Sequence, residues 1–174
     1  MKKHLTPCGR GLMNTYHITL TLHGELTESE ALEDRLYETG CDDATLCFNG
    51  RTAYLEFDRE AASACDAVAT AIANVEAAGC QVAHSEQSGF VTLASVAYLS
   101  QLPIKTLRAW ANGQRGKKLE SSFPAPHFGI SSGSAVYYWP EVAAWLVENG
   151  KLERRYLEVA QAVAELFPLG KRAA

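Results

Sequence analysis

Hydrophobic and polar residues alternate along the first half of the chain in short runs, and two longer stretches there have helical spacing. Alternation with a period of two is typical of half-buried strands, whereas apolar residues three or four positions apart indicate amphipathic helices. One helix is predicted between a cap at Thr27 or Ser29 and a stop at Gly40, and another over residues 59–78. Strands are predicted at residues 16–22, 43–48, 52–57 and 81–84.

The predicted order of these elements is β-α-β-β-α-β. Asn49 and Gly50 separate the second and third strands, and this dipeptide is favoured in type I′ hairpin turns. The order is that of a ferredoxin-like domain, with two helices on one face of a four-stranded antiparallel sheet. The polar segment SEQSG, residues 85–89, is the predicted linker that follows it.

The hydrophobic period changes after this segment. Thr92 is placed to cap a short helix, and Pro103 is placed to begin a second helix over residues 104–112. Leu107 and Trp110 are expected on the inner face of the second helix, and its outer face is basic. Two short helices joined by a tight turn predict a helix-turn-helix.

Strands at residues 127–130 and 135–139, joined by the turn Ser-Ser-Gly-Ser, are then predicted to form a wing. Pro140 begins a further helix, which ends before Gly150. A last helix, over residues 151–167, has apolar residues at spacings of four and three that need burial against the chain's own domain or a second subunit. These residues are Leu152, Tyr156, Val159, Val163 and Leu166.

With 174 residues, of which 47% are apolar, the chain is long enough for two small domains. The predicted class is α+β: a ferredoxin-like domain, then a winged helix-turn-helix and a C-terminal helix. The predicted divisions are an arm (1–15), the ferredoxin-like assembly or sensing domain (16–84), the linker (85–89), the winged domain (90–150) and the C-terminal helix and tail (151–174).

The net charge of −4 hides an uneven distribution along the chain. Residues 1–89 contain six Lys/Arg and fourteen Asp/Glu, for a net charge of −8, whereas residues 90–174 contain ten and six, for +4. Five cations lie within residues 105–118. Such asymmetry predicts a divided protein with one basic face that suits nucleic acid.

Three stretches carry a resemblance: TLASVAYLSQLPIKTLRAWANG, FPAPHFGISSGSAVYYW and PEVAAWL. Together they resemble the winged helix-turn-helix of mercury-resistance (MerR-type) regulators and of phage excisionase and AlpA-like proteins, over roughly 60 residues. The whole chain also resembles bacterial DNA-binding proteins that place a ferredoxin-like domain before this module. The family usually has Gly-Val-Ser before the recognition helix, where this chain has Gln101-Leu102-Pro103.

The resemblance implies binding to double-stranded DNA, with the helix over residues 104–112 in the major groove. Lys105, Thr106 and Arg108 are candidates for contacts with base edges. Cations beyond Gly113 are better placed for phosphates, which fix register. The complete set of candidate DNA-binding residues is Lys105, Thr106, Arg108, Asn112, Gln114, Arg115, Lys117, Lys118 and, at the tip of the wing, Ser132.

Other chemistry has little support in the sequence. The five cysteines are odd in number and form no CxxC pair, so neither a disulfide framework nor a zinc knuckle is predicted. Cys41, Asp42, Asp43 and Cys47 are close in sequence, but no histidine lies at ligand spacing, and we expect no metal there. Phosphate loops, nucleophile elbows and HExxH motifs do not occur. We therefore expect neither an enzyme nor a cofactor.

No run of about 18 uncharged apolar residues occurs, so no membrane span is expected and the cytoplasm is the predicted location. The three tryptophans fit core packing better than a base-stacking platform, and His127 fits a structural role.

The function predicted is that of a sequence-specific transcriptional regulator of bacterial or phage type that acts as a homodimer. One alternative is an excisionase-like architectural factor that bends DNA. Another is an antitoxin-like regulator whose N-terminal domain binds a partner protein or a small ligand, as some ferredoxin-like domains bind amino acids. Fold analogy alone does not decide among these roles.

Overall fold

The computed structural model describes residues 13–27, 29–114 and 119–167. These residues form six helices and antiparallel sheets, which confirms the predicted α+β class. The first six elements are β1 (Asn14–Leu22), α1 (Glu30–Glu38), β2 (Ala44–Asn49), β3 (Thr52–Ala61), α2 (Ala64–Ala77) and β4 (Val82–Ser85). The remaining six are β5 (Phe90–Thr92), α3 (Leu93–Ser100), α4 (Ile104–Ala111), β6 (Val136–Tyr138), α5 (Trp139–Glu148) and α6 (Arg154–Leu166).

The first four strands form one antiparallel sheet in the order β2-β3-β1-β4. The element order predicted for residues 16–84 is therefore present, and Ser29 rather than Thr27 caps α1. Strand β1 begins at Asn14, two residues before its predicted start. Residues 1–12 of the predicted N-terminal arm lie outside the described part of the chain.

The two faces of this sheet differ in chemistry. Leu20 pairs with Leu55 and Ile18 with Phe57, and all four are buried in a core that they share with α1 and α2. The residues between them in sequence, including Thr19, point to the opposite face because side chains alternate along a strand. That second face is polar, and it forms the floor of a groove between the sheet and the helical half of the chain.

Helix α2 begins five residues later than predicted because β3 continues through Arg59 to Ala61. The Arg59 side chain is 8% exposed, and its Nε and Nη2 donate to the two carboxylate oxygens of Asp43 at 2.8 and 2.7 Å. This bidentate pair compensates the buried guanidinium and keeps Arg59 in the sheet. Ser63 then caps the helix by accepting a hydrogen bond from the N–H of Asp66 at 3.1 Å.

The hairpin between β2 and β3 is present, but its turn is shifted by one residue. Asn49 pairs with Thr52, so Gly50 and Arg51 are the two loop residues. Gly50 has a φ of 62° and Arg51 has no positive φ. Glycine with a positive φ at the first central position is typical of a type II′ turn, so the predicted type I′ turn on Asn49-Gly50 is wrong.

A second hydrophobic core lies between α3, α4 and α5, with Val96, Leu107 and Leu146 fully buried in it. At the edge of this core, strand β5 pairs with β6. Strand β5 was not predicted from the sequence. The predicted strand at 127–130 is reduced to one isolated bridge between Phe128 and Val136. Gly129, which follows Phe128, has a φ of 76°, and this left-handed conformation ends the strand after one residue.

Helix α6 packs against both halves of the chain. Val159 and Val163 are buried in the first core, whereas Ala160 is buried in the second. The middle of the apolar stripe that the sequence predicted is therefore covered within the chain, Leu152 and Tyr156 are half-buried, and Leu166 at its end is 48% exposed. Of the two alternatives left open by the sequence, burial against the chain's own domain is therefore the one present, and this stripe gives no reason for a second subunit.

The predicted linker, residues 85–89, is a hydrogen-bonded turn. The N–H of Ser88 donates to the carbonyl of Ser85 at 3.0 Å, and the N–H of Trp139 donates to the carbonyl of Gly89 at 2.9 Å. The segment is thus held by backbone hydrogen bonds at both ends.

The longest helix in the described ranges, α2, has 14 residues. No helix in those ranges is long and apolar enough to cross a membrane.

Candidate nucleic-acid interface

Helix α3 is fixed at its start and along its inner face. The side chain of Thr92 caps it by accepting a hydrogen bond from the N–H of Ser95 at 3.2 Å, as predicted. Val96 and Leu99 are buried in the second core. The helix therefore provides a firm support for the turn that follows.

The turn between α3 and α4 depends on an unusual backbone conformation at Gln101. Its φ of 55° and ψ of 24° are left-handed, and among the described residues it is the only non-glycine with a positive φ. The side-chain Nε2 of Gln101 donates to the carbonyl of Tyr98 at 2.7 Å, which satisfies one carbonyl at the end of α3. Gln101 thus adopts the conformation for which glycine is usually required.

Helix α4 begins just after Pro103, which is its N-cap rather than its first helical residue as predicted. No side chain caps the helix; instead the Pro103 carbonyl accepts hydrogen bonds from the N–H groups of Thr106 and Leu107 at 2.9 and 3.3 Å. Asn112 is the C-cap, and Gly113 follows with a φ of 80°. The predicted stop at glycine is therefore present.

The inner face of α4 determines which residues point outward. Leu107 is fully buried, and the ring of Trp110 lies 5.4 Å from that of Trp145 on α5, at an interplanar angle of 60°. This tilted aromatic contact and the buried leucine fix the rotation of the helix about its axis. The tryptophans are thus packed in the core, as the sequence indicated.

Lys105, Arg108 and Asn112 lie on the outer face of α4, at spacings of three and four that place them along one line. All three are exposed, while Thr106 is half-buried. Neither Lys105 nor Arg108 forms an ion pair with any carboxylate in the described ranges. The outer face therefore offers two uncompensated cations and an amide within about two helical turns.

Gln114 is also exposed, and its backbone N–H donates to the carbonyl of Ala109 at 2.9 Å. Arg115, Lys117 and Lys118, the predicted phosphate contacts, lie outside the described residues.

Ser132 lies on a different element, the turn between Phe128 and Val136. It is exposed, and its hydroxyl donates to the carbonyl of Gly129 at 3.1 Å, within the turn itself. No hydrogen bond joins Ser132 to α4 among the described residues. His127 Nε2 lies 3.0 Å from Glu141 Oε2 on α5, and this contact fits the structural role expected for His127.

The predicted wing has an exposed apolar surface that the sequence did not single out. Phe128 is 58% exposed and Ile130 is 73% exposed, on either side of Gly129. Phe90 contacts Phe128 edge to face, with ring centroids 4.9 Å apart. The sequence signal for this surface was the hydrophobic character of both residues beside a predicted turn.

The acidic and cysteine-containing region around residues 41–47 makes contacts that hold the fold together. Asp43 is bound to Arg59, and Cys41 and Cys80 are buried, which raises the pKa of both thiols. Within the described ranges, no group of three or more His, Cys, Asp or Glu side chains is arranged to hold a metal ion.

Comparison with known proteins gives no match: no family model, no curated protein and no solved structure aligns significantly with the chain.

Proposed function

We propose that the protein is a sequence-specific regulator that binds double-stranded DNA. In this proposal α3 and α4 form a helix-turn-helix, the segment from His127 to Tyr138 forms the wing, and residues 14–85 form a ferredoxin-like domain. Helix α4 enters the major groove, and Arg115, Lys117 and Lys118 hold phosphates on the flank.

The observation that carries this proposal is the division of α4 into a fixed inner face and a basic outer face. Leu107 and Trp110 anchor the helix, so Lys105 and Arg108 point away from the core without partner carboxylates in the described ranges. An Arg side chain in this position suits bidentate contact with guanine O6 and N7. Asn112 adds an amide that suits adenine.

We further propose a homodimer, because one recognition helix reads only a few base pairs and two half-sites lie about 34 Å apart. Because the apolar face of α6 is covered within the chain, we expect the two subunits to contact each other through surfaces of the N-terminal half. Strand β2 lies at one edge of its sheet, and an edge strand offers unpaired backbone groups to a second copy.

The test is selection of preferred sites from random DNA, followed by fluorescence anisotropy with the best site and a scrambled site. Arg108→Ala should weaken binding to the best site by about 1–3 kcal/mol and relax the base preference there. Arg35→Ala, an exposed charge removal on α1, is the matched control and should leave both affinities unchanged. Light scattering of the same samples should give twice the 18.9 kDa chain mass.

Failure of the wild-type protein to enrich any sequence, or equal losses for Arg108→Ala and Arg35→Ala, would contradict the proposal. A chain that selects DNA with high specificity as a monomer would leave DNA binding standing and remove the homodimer.

The exposed wing favours a second candidate, an architectural factor of the excisionase type. Apolar side chains that are inserted between base steps kink the duplex, and Phe128 and Ile130 are exposed on the predicted wing. Under this alternative, Ile130→Ala should reduce a bend measured by energy transfer between labelled DNA ends. A straight duplex in the wild-type complex excludes it.

A further inference from the structure

A groove of about 390 Å³ lies between the polar face of the four-stranded sheet and the helical half of the chain. Strands β1, β2 and β3 form its floor. Tyr98 on α3, Gln101 in the turn before α4 and Tyr156 on α6 form the opposite wall. The proposed contacts with DNA use none of these side chains.

The floor of the groove is acidic. Glu56 and Asp58 lie two positions apart on β3, so their side chains share one face about 7 Å apart. Tyr98 Oη donates to Glu56 Oε1 at 2.5 Å, and His17 Nδ1 contacts Asp58 Oδ1. One oxygen of each carboxylate has no such partner in the described ranges, and none of the lining residues described there is a lysine or an arginine.

Gln87 gives a second and independent indication of a ligand. Its Oε1 accepts hydrogen bonds from the N–H of Thr19 at 3.1 Å and from the hydroxyl of Ser85 at 2.7 Å. Because a backbone N–H can only donate, this contact identifies the oxygen end of the carboxamide. The Nε2 end therefore points elsewhere, and within the described ranges it has no hydrogen-bond partner.

A buried polar side chain normally satisfies its hydrogen bonds. Gln87 is only 7% exposed and lines the groove. The indole nitrogen of Trp139 is buried and has no hydrogen-bond partner, whereas Gln87 Nε2 is not closed off from solvent in this way. Because Gln87 lines the groove, a ligand bound there lies beside this side chain. A ligand oxygen at that place would complete the hydrogen bonding of the side chain.

The walls add aromatic surface to these polar groups. The Tyr156 ring stacks on that of His17 with centroids 6.0 Å apart, and the Tyr98 ring stands beside Glu56. Aromatic faces and carboxylates together recognise organic cations. The volume lies in the range of small-molecule sites, in which a few polar groups set the orientation of the ligand.

We propose that this groove binds a small organic cation that carries a primary ammonium group and an acceptor oxygen. The ammonium group lies between the carboxylates of Glu56 and Asp58, the body of the ligand lies against Tyr98 and Tyr156, and the acceptor oxygen meets Gln87 Nε2. Tyr98 and Gln101 also belong to the support of α4, so occupancy alters DNA binding. That last step rests on the proposed DNA-binding function, whereas binding in the groove does not.

The probe is tyramine, which has a primary amine and a phenol oxygen, and the control ligand is 4-ethylphenol, which lacks the amine. Isothermal titration of the full chain near neutral pH should show saturable binding of one tyramine per chain and at least tenfold weaker binding of 4-ethylphenol. Glu56→Gln and Asp58→Asn should each reduce tyramine affinity at least tenfold. Glu60→Gln is the matched control: it removes an exposed charge from the same strand and the same face, outside the groove lining.

Absence of saturable tyramine binding, equal binding of 4-ethylphenol, or an equal loss in Glu60→Gln would overturn the proposal. Repeating the DNA titration with saturating tyramine separates the two functions. Unchanged DNA affinity removes the coupling alone, and a chain that binds tyramine but no DNA removes the proposed regulator while the ligand site stands.

Discussion

Tyr98 on α3 donates a hydrogen bond of 2.5 Å to Glu56 on β3, across the boundary between the sheet and the helical half. The two residues are 42 positions apart in the sequence. The hydrogen bond to the Glu56 carboxylate, aided by burial and by the negative charges of Glu56 and Glu86, raises the pKa of Tyr98 to about 12. This contact therefore depends on a neutral tyrosine.

The pH dependence of stability should reveal this hydrogen bond. The pKa of Tyr98 is higher in the folded chain than its ordinary value of 10, so the stabilisation is fully present below pH 10 and is lost as the pH rises through 12. Tyr98→Phe should reduce the free energy of unfolding by about 0.5–1 kcal/mol near neutral pH, because the side chain is 54% exposed. Urea unfolding of both proteins should give curves that converge between pH 10 and 12. A constant difference across that range would contradict the assignment.

The left-handed backbone at Gln101 predicts opposite effects for two substitutions. Gln101→Gly removes the steric cost of a φ of 55° but also the hydrogen bond to Tyr98, so the chain should be as stable as the wild type or up to about 1 kcal/mol more stable. Gln101→Val should cost about 1–2 kcal/mol, because a β-branched residue is strained at positive φ. Thermal unfolding of the two variants measures both effects, and a valine variant as stable as the glycine variant would show that the turn has another conformation.

The Asp43–Arg59 pair should be a large contributor to the stability of the sheet. Asp43→Asn leaves the Arg59 guanidinium, 8% exposed, without its counter-charge, and we expect a loss of about 2–4 kcal/mol in the free energy of unfolding. Asp42→Asn, at the exposed neighbouring position, is the control and should change stability by no more than about 0.5 kcal/mol. Equal effects of the two variants, measured by chemical denaturation, would show that the pair is not formed.

Local patterns in the sequence predicted most elements because their causes are local. Caps such as Ser29 and Thr92, and glycine stops such as Gly113, act within a few residues of the helix ends that they define. The error at Arg59 has a tertiary cause. The burial of Arg59 depends on Asp43, which the fold brings beside it across the sheet. The spacing of hydrophobic residues along a helix or strand does not show which distant residue will pair with a buried charge.

The candidate site was predictable in part for the same reason. The spacing of Lys105, Arg108 and Asn112 gives a common face wherever the helix packs. The groove was missed because Glu56, Gln87 and Tyr98 come from three separate elements, and their only sequence signal is the alternation that turns Glu56 away from the core. Strand β5 has only three residues, too few for a period to be recognised.

A buried and an exposed position of the α6 stripe should respond differently to a charge. Val163, on α6, is fully buried in the first core, so Val163→Asp should cost about 3 kcal/mol or more in the free energy of unfolding. Leu166→Asp, at a position that is 48% exposed, is the matched control and should cost no more than about 0.5 kcal/mol. If Val163→Asp instead left stability unchanged and converted a dimer to a monomer, the stripe would belong to a subunit interface and not to the chain's own core.

The dependence of DNA affinity on salt should report how many of the five cations in residues 105–118 contact phosphate. Each neutralised phosphate releases condensed counterions, so about four contacts give a slope near −3 to −4 in a plot of log affinity against log salt concentration. Lys105 and Arg108 face outward on α4, and Arg115, Lys117 and Lys118 follow this helix in the sequence, so the two groups of cations can be tested separately.

Replacing Arg115, Lys117 and Lys118 together with alanine should make the slope shallower by about 3 and weaken binding to the best and scrambled sites alike, because phosphate contacts do not read the base sequence. Arg108→Ala should change the slope by at most about 1 while it reduces discrimination between the two sites. Titrations from 50 mM salt upward by fluorescence anisotropy measure both quantities, and a slope near zero for the wild-type protein would show that the basic stretch does not bind the DNA backbone.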